Sequence, residues 1–239
     1  MNSTYNPGRV AGLIYLLLVI VGPVRLMYIP TKLFVSGDAT ATASNIAAHE
    51  MLFRLGMVSE VVSGVIVILL ALALYRLLKG VNQYLAVLMV ALGGMLPAAL
   101  DFFDVVNDAA ALLLVRGGNF LGVFDKPQRD ALAMLFLHLY DQENIAAEIF
   151  WGLWLIPLAI LVYRSRFLPR FLGVWLFING VAYVGLSFTG LLFPQYYNAA
   201  FNDAFPLLFG EVAFMLWLVI KGARPKPFGD TVPARSVAQ

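Results

Sequence analysis

Six apolar runs, each near 20 residues long, constrain this chain more than any other feature. They fall at about 10–29, 54–76, 83–105, 142–163, 171–193 and 205–221. A helix of that length crosses the roughly 30 Å of hydrocarbon in a bilayer. The runs are too long and too continuously apolar for barrel strands of about ten alternating residues. Composition agrees: 61% of residues are hydrophobic and 13% charged, against roughly 45–50% and about 25% in soluble domains. The sequence therefore predicts an all-α membrane protein with six transmembrane helices. Residues 1–222 form the membrane domain, and residues 223–239, rich in proline, form a disordered cytoplasmic tail.

Charge sets the expected orientation. With the N-terminus inside, ten basic residues fall in inner segments (Arg9, Arg76, Lys79, Arg164, Arg166, Arg170, Lys221, Arg224, Lys226 and Arg235). Five fall in outer segments (Lys32, Arg54, Arg116, Lys126 and Arg129), and Arg25 lies within the first run. That bias predicts both termini on the cytoplasmic side of a cell inner membrane. Of fourteen acids only Asp230 falls on the inner side, so the acids read as chemistry rather than topology. Pro23-Val24-Arg25 interrupts the place where a signal-peptide cleavage site would sit, so the first run reads as a retained span. Cysteine is absent, which excludes disulfide and thiolate chemistry.

A glutamate recurs inside the apolar runs. Glu60 through Arg76 and Glu148 through Arg164 share Glu, Gly, Ile, Leu, Ala, Tyr and Arg at matching positions. A weaker copy relates Glu148 and Leu153-Trp154-Leu155 to Glu211 and Leu216-Trp217-Leu218. The six spans therefore group as three pseudo-repeated helical hairpins, all entering with the same orientation. A carboxylate inside lipid costs several kcal/mol unless paired, hydrated or protonated, and so marks a functional site. Sixteen residues separate Glu60 from Arg76, about 24 Å of helix, which places the glutamates in the outer third of the membrane.

Further polar residues share that depth. Asp101, Asp104 and Asp108 lie on one face of the third span, and Asp141, Asn144 and Glu148 on one face of the fourth, with His138 one turn outward. Arg25 lies late in the first span. Together they predict an outward-open acidic cavity. Glu60, Glu148 and Glu211 form its floor, Asp101 and Asp141 its upper wall, and Arg25 a counter-charge; Asp104, Asp108, His138 and Asn144 stand behind these. Trp151, Trp154, Trp175 and Trp217 read as packing or interfacial residues. Short surface helices are expected outside the membrane, one within 38–50 with an Asp or Thr cap and one over 128–139 capped by Asp125, the second followed by a bend or tilt into span four.

The pattern Gly37-Asp38-Ala39-Thr40-Ala41-Thr42-Ala43-Ser44-Asn45-Ile46, followed by Leu52-Phe53-Arg54-Leu55-Gly56 and Ala73-Leu74-Tyr75-Arg76-Leu77-Leu78-Lys79, resembles a bacterial integral-membrane family described as domain of unknown function 4386. Phe167-Leu168-Pro169-Arg170-Phe171-Leu172-Gly173 and Leu216-Trp217-Leu218-Val219-Ile220-Lys221-Gly222 fit it too. The resemblance covers the chain to about residue 222. It implies a six-span inner-membrane protein and supplies no catalytic residue.

Three function classes stay open. The first is binding or translocation of a small cation or amphiphile through the acidic cavity, with protonation as the switch, because removing water disfavours a carboxylate's charged form. The second is an intramembrane hydrolase or lipid-modifying enzyme using two carboxylates as acid and base. The third is a structural or sensory subunit. Membrane lipid is the expected partner in each. Many carboxylates with one histidine would favour a hard divalent cation over zinc. No H-E-x-x-H, paired E-x-x-H, G-x-S-x-G or phosphate-binding glycine loop occurs. Nucleic-acid binding has no support, since the basic residues sit at the inner membrane surface.

Overall fold

The computed structural model describes residues 6–225, which contain helices and connecting turns and no strand. The tail predicted after residue 222 lies, from residue 226 on, outside the described residues. Six helices are long and apolar enough to cross a membrane: α1 (Pro7–Leu33), α3 (Glu50–Leu78), α4 (Gln83–Arg116), α5 (Lys126–Arg164), α6 (Arg170–Leu192) and α7 (Pro194–Ile220). A short helix α2 (Ala39–Ala48) precedes α3; Asp38 caps it, its side chain accepting from Ala41 N–H. Ile20 on α1 is 62% exposed and Leu192 on α6 is 65% exposed, amid many other exposed large hydrophobics. Such surface suits hydrocarbon and not water. The protein is a polytopic membrane protein.

The six long helices pack as a closed ring. Each touches its neighbours in chain order, and α7 returns to α1. Glycines occupy the seams, letting backbones approach where lipid offers no hydrophobic drive for helix association. At the closing seam a side chain on Gly12 would collide with the backbone of Leu218 and Val219. Between α5 and α6, Gly152 and Gly180 each face the other's backbone carbonyl. Asn6 joins the ends of the ring, its Oδ1 accepting from Arg9 N–H and Ala223 N–H at 3.1 Å each.

Two apolar cores lie inside, at opposite ends. The larger, near the termini, includes Tyr15, Leu74, Met89, Leu158, Leu176 and Phe214. The smaller packs Ile29 and Leu33 of α1, Ile46 of α2 and Phe53 of α3 against the far ends of α4 and α5. Between them runs a polar layer.

Local breaks in three helices aim side chains into that layer. α1 widens into a π-helical turn at Val24–Tyr28, and α4 does so at Ala91–Met95. Each turn is followed, two residues on, by a proline, Pro30 and Pro97 respectively. Proline lacks the N–H that the regular helix needs, and the wider turn absorbs the mismatch. The expected surface helix and span four are one continuous helix: α5 has no interruption near residue 140, runs over Lys126–Leu153 and breaks at Trp154. Pro157, three residues on, supplies the reason. α4 and α5 also continue past their predicted apolar limits because their turns far from the termini are covered by the smaller core.

Ring closure is testable. Gly12→Leu forces α1 and α7 apart and is expected to lower stability by about 1–3 kcal/mol, read as a lower Tm in detergent. Gly185→Leu, at a position with open space around it, should leave Tm unchanged.

Candidate functional site

The polar layer is organised by one ion pair. The π turn of α1 turns Arg25 inward, where Nε and Nη2 donate to Asp108 Oδ2 and Oδ1 of α4, both at 2.6 Å. Both side chains are 0% exposed. The guanidinium lies over the Tyr140 ring of α5, 3.8 Å from its centroid, with Phe34 and Phe53 around it. Stacking on Tyr140 adds a cation–π contact to the ion pair. Held there, Tyr140 donates its hydroxyl to Glu60 Oε1 of α3 at 2.6 Å. Next to it Asn144 Nδ2 donates to Asp104 Oδ2 at 3.1 Å and to the Tyr140 carbonyl at 3.0 Å. Asp104 Oδ1 and Glu143 Oε1 are both buried without a donor.

A cavity of about 200 Å³ opens beside this network, lined by residues from all six ring helices. Glu60, Asp101 and Glu211 bring carboxyl groups to it, and Trp151, Trp154 and Tyr183 give it aromatic walls. Lys, Arg and His are absent from its lining. Trp154 reaches its place because Gly93 has no side chain; a Cβ there would strike the indole ring. Ser63 lines the cavity with a buried Oγ that has no partner.

The residues expected from sequence divide three ways. Glu60, Glu211, Asp101 and Asn144 line the cavity. Arg25, Asp104 and Asp108 are buried in the network beside it. Glu148 does not line the cavity: it is buried elsewhere and accepts from the Tyr197 hydroxyl of α7 at 2.5 Å. The shared floor of three glutamates is therefore a floor of two. Asp141 and His138 are also apart, with side chains 59% and 64% exposed and 3.8 Å between them. They sit on the outer face of α5 because Tyr140 and Asn144, which share one helical face, claim the inward one. Among the described residues no three of His, Asp and Glu are placed together to hold a metal ion.

Sequence reasoning missed the tyrosines. All three glutamates accept a phenolic hydroxyl from another helix: Glu60 from Tyr140, Glu148 from Tyr197, and Glu211 from Tyr15 of α1. The only hint was spacing, since Tyr140, Asn144 and Glu148 lie four residues apart. Trp151 and Trp154 pack as expected, Trp154 within the larger core and Trp151 edge-on to Tyr183, and both also line the cavity.

Comparison with known proteins places this architecture. The profile of the family described as Domain of unknown function (DUF4386) matches residues 10–222. The chain belongs to that family. A similar protein, described as "Uncharacterized protein", comes from Archaeoglobus fulgidus and is 38% identical over 79 residues. That match covers 32% of this chain and 44% of the relative, so the chain spans less than half of it. No solved structure matches. The family match takes in all six ring helices, and with them every residue of the network and cavity.

The ion pair gives a direct test. Asp108→Asn strands the Arg25 charge and is expected to cost about 3–5 kcal/mol. Arg25→Met combined with Asp108→Leu should recover most of that loss. Thermal unfolding in detergent reads both, and an unchanged Tm for Asp108→Asn would contradict the pairing.

Proposed function

We propose that this protein binds, and passes across the membrane, a small cation with an apolar body, such as an amine. One observation carries the reading. The cavity framed by all six helices combines carboxyls with aromatic faces and has no basic side chain in its lining. Arg25, the cation nearest to it in the network, is committed to Asp108. Carboxylates answer a ligand's charge and aromatic faces its apolar part. The volume of about 200 Å³ is below the roughly 300–1,000 Å³ of sites for drug-sized ligands, which argues for a small molecule. Tyr140 and Tyr15 each engage Oε1 of their glutamate, leaving the second oxygen for the ligand.

Protons compete with a cation for the same carboxylates, so binding weakens as pH falls. Asp104 and Glu143, each with a buried oxygen that lacks a donor, offer a store for protons beside the cavity. Each of the three glutamates of the proposed hairpin repeat accepts a tyrosine hydroxyl from another helix. The charge bias of the sequence supports an acidic face outside and both termini in the cytoplasm.

Trp151 and Trp154 make the test direct. In protein reconstituted in nanodiscs, phenethylamine should quench tryptophan fluorescence saturably, and the neutral phenylethanol should not. Glu60→Gln and Glu211→Gln should each weaken amine binding roughly tenfold, and the affinity of the native protein should fall as pH is lowered. Glu148→Gln, outside the cavity, should bind as the native protein does. Equal response to amine and alcohol, or indifference to both cavity substitutions, would remove the basis for the proposal.

A further inference from the structure

A second concavity lies at the opposite, basic end of the ring, on the lipid-facing side of the seam between α5 and α6. It has a volume of about 340 Å³. Ile160 and Tyr163 of α5 and Val174 and Phe177 of α6 form its apolar walls, and Arg164 stands at its mouth. Gly173 closes its base, because the missing side chain lets α6 rest against the Ala159 carbonyl and the backbone of Tyr163. Tyr163, Val174 and Phe177 are exposed on the outer surface of the ring, where acyl chains would lie.

The mouth is positive. Arg164, Arg166 and Arg170 are exposed and form no salt bridge among the described residues. Arg170 is held over the Tyr163 ring, 5.5 Å from its centroid. The connecting turn is fixed by Ser165, whose Oγ donates to the Val162 carbonyl at 2.8 Å and accepts from Leu168 N–H at 3.2 Å. Arg166 takes a left-handed conformation, φ 59°, the only non-glycine residue among those described to do so. A strained residue persists only where its surroundings over-determine it. The result is a set of guanidinium groups with no carboxylate partner among the described residues, beside an apolar slot.

We propose that this groove is a binding site for one anionic phospholipid. An acyl chain lies along Val174 and Phe177, and the phosphate is held by Arg164 and Arg170. Planar guanidinium groups match phosphate oxygens in a bidentate manner, and basic pockets between transmembrane helices are where anionic headgroups dock. A free phosphate would use the arginines but not the slot; a neutral lipid would use the slot but not the arginines. The site is independent of the cavity and of any function assigned to it.

Delipidated protein in dodecylmaltoside, titrated with phosphatidylglycerol, tests the proposal by Tm and by native mass spectrometry. One tightly retained lipid and a rise in Tm are expected, with no such rise from phosphatidylcholine or from inorganic phosphate. Arg164→Ala combined with Arg170→Ala should weaken retention roughly tenfold or more. Val174→Trp, which fills the slot at an exposed position, should also displace the lipid. Arg76→Ala with Lys79→Ala, basic residues away from the groove, should leave retention intact. A Tm rise that survives the paired arginine substitutions, or that inorganic phosphate reproduces, would overturn the proposal.

Discussion

The buried pair between Arg25 and Asp108 is the interaction on which the interior depends. An arginine cannot shed its proton, so burying it demands a partner of opposite charge. Meeting that demand draws α1 and α4 together across the inside of the ring, although α3 stands between them in the packing order. The guanidinium then fixes the Tyr140 ring, and Tyr140 fixes Glu60. A charge that composition alone would count as a cost thus becomes the anchor that orients a cavity-lining carboxylate.

The pair also explains why the polar layer tolerates its neighbours. Apolar cores close it off at both ends, so each polar group inside must find a partner or a ligand. Most do: the three glutamates take tyrosine hydroxyls, and Asn144 ties Asp104 to the backbone of α5. The exceptions are Arg25 Nη1, Asp104 Oδ1 and Glu143 Oε1 in the layer, Ser63 Oγ on a residue that lines the cavity, and Glu148 Oε2 and Asn179 Nδ2 away from both.

The ring leaves a concavity at its centre and another on its lipid face, and the two differ in sign. The central one is walled by carboxyls and aromatic rings, the peripheral one by apolar side chains under arginines. Glycine seams make both possible, since close backbone approach at some levels leaves room at others. The prolines act similarly along the helix axes. By forcing π turns in α1 and α4 and a break in α5, they rotate Arg25, Gly93 and Trp154 into positions that straight helices would not reach.

Fold class, the six spans, and the presence of polar residues at one depth could all be read from the chain itself. Those properties follow from hydropathy and from the 1.5 Å rise of a helix, which are local. Asp104 and Asp108 could be placed on one face by the same arithmetic. What a linear pattern does not contain is the rotation of each helix about its own axis relative to its neighbours. That rotation turned Asp141 and His138 outward, sent Glu148 to Tyr197 rather than to the cavity, and made Tyr15 and Tyr140 the partners of Glu211 and Glu60. It was decided by packing: by which glycines meet which backbones, where prolines displace the helical register, and by the need of one buried arginine for one aspartate.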